Sequence, residues 1–233
     1  MKQANSSHRP DIPVLTIDGP SGAGKGAVSA RVASELGWHL LDSGAVYRSV
    51  ALAALEQEID ASSEAELVEL CAGLDLAFVS GEDGIEVVMG GRPVEDRLRS
   101  EAVSAMSSRV AALPAVRKAL LALQRSFRQP PGLVADGRDM GTVVFPEARF
   151  KVFLSASVEE RANRRYKQLK DKGENVNFSS LFRDLEERDR RDRERAVAPT
   201  VPASDALVID STALSLDEVV SSVISQVRGG LEV

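Results

Sequence analysis

The chain has 233 residues, of which 43% are hydrophobic and 27% charged, and its formal net charge is −6. These values are typical of a globular protein with a substantial core, and they count against a non-specific nucleic-acid binder, which normally carries a basic face. No apolar run approaches the length that spans a bilayer, and residues 1–12 lack the apolar segment of a signal peptide, so we expect a mobile N-terminal tail and no membrane association.

A glycine-rich turn stands between the first predicted strand and the first predicted helix. The apolar residues 14–17 predict a buried strand, and Val28, Val32 and Leu36 follow at helical spacing. The pattern between them, G-x-x-x-x-G-K, presents backbone N–H groups and a helix N-terminus to phosphate oxygens. The alternative is a turn that holds nothing. The predicted phosphate-binding residues are Gly19, Pro20, Ser21, Gly22, Ala23, Gly24, Lys25, Gly26 and Ala27.

The sequence departs from this motif directly after the lysine. A Ser or Thr usually follows and helps to hold magnesium, but here Gly26 and then Ala27 stand in those places. We therefore expect any magnesium site to be assembled without that hydroxyl, mostly through water. The candidate carboxylates are Asp18, directly before the turn, and Asp136, at the end of a later predicted strand.

The remaining pattern alternates strands with helices. Strands are predicted at 38–41, 133–135, 150–154 and 206–209, and helices at 46–58, 64–71, 96–112, from 114 to about 127, at 157–170, at 178–196 and after 215. This alternation predicts an α/β fold with a parallel central sheet that is covered by helices on both faces. A β-hairpin predicted at 74–89 interrupts it, and we interpret the hairpin as part of an insertion.

Polar segments follow several of these strands, and ligands of parallel sheets bind at the carboxyl ends of strands. Ser43 and Arg48 stand at the start of the second helix, where a hydroxyl and a guanidinium are suited to phosphate, or else are an N-cap serine and a surface arginine. Arg138 and Asp139 follow the strand that ends at Asp136, where the alternative is a local ion pair on a loop.

The segment 188–195 carries arginines and acids at helical spacing. Arg188, Asp192 and Arg195 share one helix face, which a solvated, self-paired helix would explain. Phosphoryl transfer needs positive charge around the transferred group, and a charged helix bounded by Gly173 and Pro199 would suit a lid. Arg117 lies on a mostly apolar helix, where it could simply extend from the core to solvent.

Four stretches together resemble bacterial cytidylate kinases, from about residue 13 to the C-terminal helix. These stretches are 19–26, 41–48, 136–146 (DGRDMGTVVFP) and 187–199. The resemblance implies a three-layer P-loop NTPase fold with a parallel central sheet, a monophosphate-binding insertion at about 45–112 with a small antiparallel sheet, and a short helical lid at about 173–198. All of these would belong to one kinase domain spanning 13–233.

The same resemblance implies the reaction and the roles of individual residues. It implies transfer of the γ-phosphate of ATP to CMP or dCMP, with Mg²⁺ as cofactor. The implied catalytic residues are Lys25, Arg138, Arg188 and Arg195. The implied CMP-binding residues are Ser43, Tyr47, Arg48, Ser108, Arg117, Arg138, Asp139, Arg188, Asp192 and Arg195, of which Ser108, Arg117 and Asp139 would read cytosine.

Two other functions remain as alternatives at this stage. One is a kinase for a different acceptor, such as UMP or AMP. The other is a GTP-dependent switch, against which the absence of an Asn-Lys-x-Asp motif counts. The single Cys71 lies in a predicted helix, where we expect a buried structural thiol, and one cysteine is compatible with the reducing cytoplasm. We expect the protein to be a cytoplasmic monomer.

Overall fold

A computed structural model describes residues 12–81, 84–98, 100–171 and 173–231. The predicted N-terminal tail therefore lies outside the described residues, except for Ile12. The strands are β1 (Val14–Asp18), β2 (His39–Asp42), β3 (Leu76–Gly81), β4 (Gly84–Met89), β5 (Arg92–Pro93), β6 (Leu133–Gly137), β7 (Phe150–Ser155) and β8 (Leu207–Asp210). The helices are α1 (Lys25–Leu36), α2 (Ser43–Glu56), α3 (Glu64–Ala72), α4 (Glu95–Leu98), α5 (Glu101–Val110), α6 (Pro114–Ser126), α7 (Val158–Asp171), α8 (Phe178–Glu194) and α9 (Leu216–Leu231).

A five-stranded sheet forms the centre of the molecule, in the order β2-β6-β1-β7-β8 with every pair parallel. Side chains alternate between its faces, so that in β1 Val14 joins one apolar cluster while Leu15 and Ile17 join the other. The first cluster includes residues of α2, α3, α5 and α6, and the second includes residues of α1 and α9. The predicted three-layer α/β fold with a parallel sheet is confirmed.

A second, antiparallel sheet has the order β3-β4-β5 and includes the predicted hairpin. Its Leu76 and Val87 pack into the same cluster as α2, so the small sheet is continuous with the main core. The predicted antiparallel sheet is thus confirmed. The sequence bounds of the insertion and of the lid stay predictions.

One predicted helix is wrong in its extent. Residues 96–112 were expected to form a single helix, but the structure has the short α4 and then α5, separated around Ser100. Ser100 has an extended backbone, with φ −62° and ψ 151°, and its side chain accepts a hydrogen bond from the N–H of Val103. Serine competes with the helix for these bonds, so it starts a new helix here.

The C-terminal half of the sequence contains a feature that the pattern did not predict. Met140–Val144, directly after β6, form a single π-helical turn. The N–H of Val144 donates to the carbonyl of Asp139 at 3.2 Å, and the N–H of Phe145 donates to that of Met140 at 2.7 Å. Such turns are rare and frequent at functional sites, and this one follows Arg138 and Asp139 directly.

Among the described residues, no helix combines the length and the hydropathy that crossing a membrane requires.

Candidate active site

A cavity of about 370 Å³ opens at the carboxyl end of the central sheet. It is lined by the glycine-rich turn, the start of α2, the end of β6 and residues of α5, α6, α7 and α8. Most of the predicted site residues therefore come together in one place. The predicted residues that line it are Ser21, Gly22, Gly24, Lys25, Gly26, Ala27, Ser43, Tyr47, Arg48, Ser108, Arg117, Asp136, Arg138, Asp139, Arg188, Asp192 and Arg195.

The glycine-rich turn connects β1 to α1 and leaves its concave side to the cavity. Gly24 caps α1 with φ 92°, a left-handed conformation that glycine adopts without strain. Lys25 begins the helix and is 5% exposed, and its Nζ donates to the carbonyl of Pro20 at 2.9 Å. The ammonium is thus held at the mouth of the turn, where a bound phosphate would accept the same proton.

Lys25 and Asp136 face each other in a buried environment. Burial, and after it the neighbouring Arg138, lower the pKa of Lys25 to about 7. Burial likewise raises the pKa of Asp136 to about 6, against the favourable effect of Lys25. Burial disfavours the charged form of each group, and the opposite charge of the other group offsets part of this cost. An anion at the turn would stabilise the charged lysine.

Three arginines, Arg48, Arg138 and Arg188, line the cavity, and the first two are paired with Asp42 and Asp192. Burial lowers the pKa of Arg188 to about 10, and Arg138 is the next cause. The Nε of Arg188 is buried and has no hydrogen-bond partner among the described residues. Arg48 contributes to the same effect. A buried guanidinium without a partner, next to two guanidinium groups that acids already orient, suits a phosphate group, which accepts bidentate bonds from guanidinium.

Asp192 holds two of the cavity's arginines from the α8 side. Its Oδ2 accepts from Nε of Arg138 at 3.2 Å, and its other oxygen is bonded to Arg195. These positive neighbours lower the pKa of Asp192 in spite of its burial. The helix that carries it was predicted either as a lid or as a self-paired surface helix.

The helix α8 has a self-paired outer side and a buried inner side, and its role as a lid stays a prediction. On its outer side Arg190 and Glu194 form an exposed pair at 3.4 Å. On its inner side Asp189 is buried against Arg161 of α7, whose Nη1 donates at 3.1 Å and also donates to the carbonyl of Ser21 at 2.8 Å. The buried pair therefore joins the glycine-rich turn, α7 and α8.

The start of α2 does not have the serine N-cap that was one of the two alternatives for Ser43. Asp42, not Ser43, is the N-cap, and its Oδ1 accepts from the N–H of Ala45 at 2.9 Å. The other oxygen of Asp42 is 2.9 Å from Arg48 Nη2. Ser43 is buried and donates to Oε1 of Gln124 at 2.6 Å. Ser43 and Arg48 both line the cavity, each already oriented by a protein partner.

Arg117 and Asp139, which both line the cavity, form a buried ion pair. Arg117 is 9% exposed and Asp139 is 3% exposed. Arg117 also donates to the carbonyl of Ala111 at 3.1 Å, and its guanidinium lies 5.6 Å from the ring centroid of Tyr47. Arg117 binds Oδ2 of Asp139, and no bond to Oδ1 is found among the described residues. One carboxylate oxygen is therefore left for a ligand.

The two candidate metal carboxylates differ in their surroundings. Both oxygens of Asp18 accept backbone N–H bonds, from Met140 at 2.8 Å and from Gly141 at 2.7 Å. Asp18 is not among the residues that line the cavity. Asp136 does line it and stands near the start of α1, where a Cβ on Gly26 would be 3.7 Å from its Oδ2. The structure thus favours Asp136 over Asp18.

Several residues of the cavity were not predicted, and some predicted ones lie outside it. Gly19, Pro20 and Ala23 belong to the turn but do not line the cavity. The arginines of α7 were missed, although their i, i+3, i+4 spacing could have indicated one helix face directed at the turn. The additional lining residues are Asp42, Gly44, Ser107, Ala111, Gly137, Arg161, Arg164, Arg165 and Gln168.

Comparisons with known proteins give one consistent result. The sequence model of the cytidylate kinase family matches residues 15–229. The chain is 59% identical to a cytidylate kinase of Aeromonas hydrophila over 91% of this chain and 93% of that one. It is 55% identical to a cytidylate kinase of Klebsiella pneumoniae over 96% and 98%. A solved shikimate kinase of Bacteroides thetaiotaomicron is 12% identical, with a TM-score of 0.44 and coverage of 95% and 99%, so the sequences carry the assignment.

Proposed function

The chain belongs to the cytidylate kinase family, and we propose that the cavity is where it transfers the γ-phosphate of ATP to CMP or dCMP. The products are ADP and CDP or dCDP. The observation that carries this placement is the arrangement of the cavity. One cavity brings together the phosphate-binding turn, the Arg117–Asp139 pair and the arginines Arg48, Arg138 and Arg188.

The glycine-rich turn binds the phosphates of ATP. Its N–H groups donate hydrogen bonds to the phosphate oxygens, and the positive end of α1 stabilises their negative charge. The Nζ of Lys25 leaves the carbonyl of Pro20 and donates to the β- and γ-phosphate oxygens instead. The charge on Lys25 is stabilised when these phosphates arrive, because burial and Arg138 disfavour it in the free protein. This residue therefore stabilises negative charge on the transferred group.

The central arginines bind the phosphate of the acceptor. Arg48 is oriented by Asp42, and Arg138 by Asp192, so that both guanidinium groups are held before the substrate arrives. Holding them in place reduces the entropy that binding must otherwise overcome. Ser43 adds a hydroxyl at the same place, oriented by Gln124.

The reaction needs no covalent enzyme intermediate. An oxygen of the CMP phosphate attacks the γ-phosphorus, a new P–O bond forms, and the bond to the β–γ bridging oxygen breaks with its electrons going to ADP. Arg188 and Arg195 come from α8 and face the region where charge develops on the transferred group. Closure of the α8 region excludes water, which would otherwise hydrolyse ATP.

Asp139 reads the base. Its free oxygen accepts a hydrogen bond from the amino group at C4 of cytosine, whereas uracil presents a carbonyl acceptor there. Arg117 holds the carboxylate in place, and Ser108 supplies a further polar contact from α5. Asp192 faces the ribose region with its oxygens held by two arginines.

Mg²⁺ is the cofactor we propose on the chemistry of the donors present. It prefers oxygen ligands and commonly keeps several waters with only one or two carboxylates. Asp136 fits this, and the described residues contain no cluster of three metal-ligating side chains. Mg²⁺ neutralises charge on the β- and γ-phosphates when bound. Asp136 would hold its water ligands.

The experiment that tests this function is a coupled ADP-release assay across nucleoside monophosphates. We expect CMP and dCMP to accelerate ADP production far more than UMP or AMP. Release of ADP that no monophosphate accelerates would contradict the kinase function. The expected monomer and its cytoplasmic location stay predictions, which light scattering and cell fractionation test.

A further inference from the structure

The residue that reads the base stands at the start of the π-helical turn. The carbonyl of Asp139 accepts hydrogen bonds from the N–H groups of Val143, at 2.9 Å, and of Val144, at 3.2 Å. The conformation of Asp139 is thus tied to the turn that follows it. Whatever holds this turn also holds the carboxylate.

The N-terminal end of the turn is fixed to β1. Asp18 accepts from the N–H groups of Met140 and Gly141, which have no partner within the turn. The approach is close enough that a Cβ on Gly141 would lie 2.8 Å from Oγ1 of Thr16 and 3.4 Å from Oδ2 of Asp18. Glycine at this position allows the turn to lie directly on the strand.

The C-terminal end of the turn is fixed to α6. Nε of Arg125 donates to the carbonyl of Val144 at 2.8 Å, and its Nη2 donates to that of Val143 at 3.3 Å. Arg125 follows Arg117 by eight residues, which places both on one side of α6. The same helix therefore holds the Asp139 carboxylate through Arg117 and the far end of its turn through Arg125.

We propose that Arg125 is a positioning residue for Asp139, and that it contributes to the preference for cytosine over uracil. Arg125 does not line the cavity, so it acts through the turn and not on the substrate. Its two bonds fix the carbonyl end while Asp18 fixes the N–H end, so the turn cannot rotate Asp139 away from the base. This proposal rests on the base-reading role given to Asp139 above.

The test compares Arg125→Met with Lys118→Met. Both substitutions remove one positive charge from α6 and keep an unbranched side chain. Lys118 is exposed and makes no hydrogen bond or ion pair to the turn among the described contacts. For Arg125→Met we expect the CMP/UMP ratio of kcat/KM to fall roughly threefold to tenfold, mainly through KM for CMP, with KM for ATP nearly unchanged. Lys118→Met should leave the ratio unchanged, and Arg125→Lys should restore part of it.

A double-mutant cycle with Asp139→Ala separates positioning from a general structural effect. If Arg125 acts through Asp139, Arg125→Met lowers the ratio only while Asp139 is present. A further fall in the Asp139→Ala background would overturn the proposal, because Arg125 would then act through another group. An unchanged ratio in Arg125→Met, with a lowered ratio in Asp139→Ala, would overturn it too while leaving the base-reading role intact. If Asp139→Ala itself leaves the ratio unchanged, the base-reading role fails and the positioning role with it.

Discussion

Replacing Asp139 by asparagine tests how the cavity distinguishes cytosine from uracil. The substitution keeps the size and shape of the side chain, which matters at a position that is 3% exposed. Arg117 carries only donors and binds the side chain from one direction. The amide oxygen should therefore turn towards Arg117, and the amide nitrogen should face the base.

The expected effect has opposite signs for the two substrates. For CMP, a hydrogen bond to a charged acceptor is replaced by two facing donors, a loss of about 1.5–3 kcal/mol. For UMP, two facing acceptors become one neutral hydrogen bond, a gain of about 0.5–1.5 kcal/mol. Together these shift the preference by about 2–4.5 kcal/mol, which is roughly 30- to 2,000-fold in the ratio of kcat/KM.

The assay is the steady-state rate with CMP and with UMP at saturating ATP. Asp192→Asn is a matched control, since Asp192 also lines the cavity but pairs with Arg138 and Arg195. We expect this control to lower both rates by a similar factor. If Asp139→Asn also lowers both rates equally, then Asp139 acts on the phosphates or on the turn, and the reasoning about the base is wrong.

Four further outcomes are expected. Lys25→Met should lower kcat roughly 10²- to 10³-fold without unfolding the protein, because the proposed role of Lys25 is to stabilise negative charge on the transferred group. Near-normal turnover would contradict this role at the phosphates. Ala27→Thr should tighten ATP binding or leave it unchanged, because Ala27 is exposed on the cavity wall, where a larger side chain has room. Weaker ATP binding in isothermal titration calorimetry would contradict this. Glu58→Gly should raise the free energy of unfolding in urea by about 0.5–1 kcal/mol, because Glu58 is exposed and its φ of 56° is a left-handed conformation that strains a residue with a Cβ. A lower free energy of unfolding would show that the Glu58 side chain makes a contact that outweighs this strain. Amide exchange in residues 173–188 should slow when CMP and an ATP analogue are both bound, while residues 189–198 stay protected in all states. Equal exchange of residues 173–188 in the free and the doubly bound protein would contradict the lid.

The sequence predicted the features whose causes are local in the chain. The phosphate-binding turn needs only a strand, glycines, a lysine and a helix within about twenty residues. Capping is equally local: the hydroxyl of Ser215 accepts from the N–H of Glu218, whose carboxylate accepts from Ser215 in return. Apolar runs likewise placed the strands of the central sheet to within a few residues.

Contacts between distant segments could not be predicted in this way. Asp18 directly precedes the phosphate-binding turn, which suggested a metal ligand, but its partners are 122 and 123 residues away. Ser43 and its partner Gln124 are 81 residues apart. These bonds depend on which strands are neighbours, and the strand order follows from packing of the whole chain. The family resemblance supplied the roles of the cavity's residues, but not the groups that orient them.

The attachment of α8 limits which part of a lid can move. Asp189 is buried against Arg161, which also holds the carbonyl of Ser21, and Asp192 is bonded to Arg138. Separating a buried pair such as Arg161–Asp189 leaves an uncompensated charge, which costs about 3–5 kcal/mol. A rigid movement of all of residues 173–198 would incur this cost in every catalytic cycle. Closure is therefore less costly if the chain bends before Asp189, so that the first part of α8, which includes Arg188, moves while Asp192 and Arg195 keep their positions in the cavity.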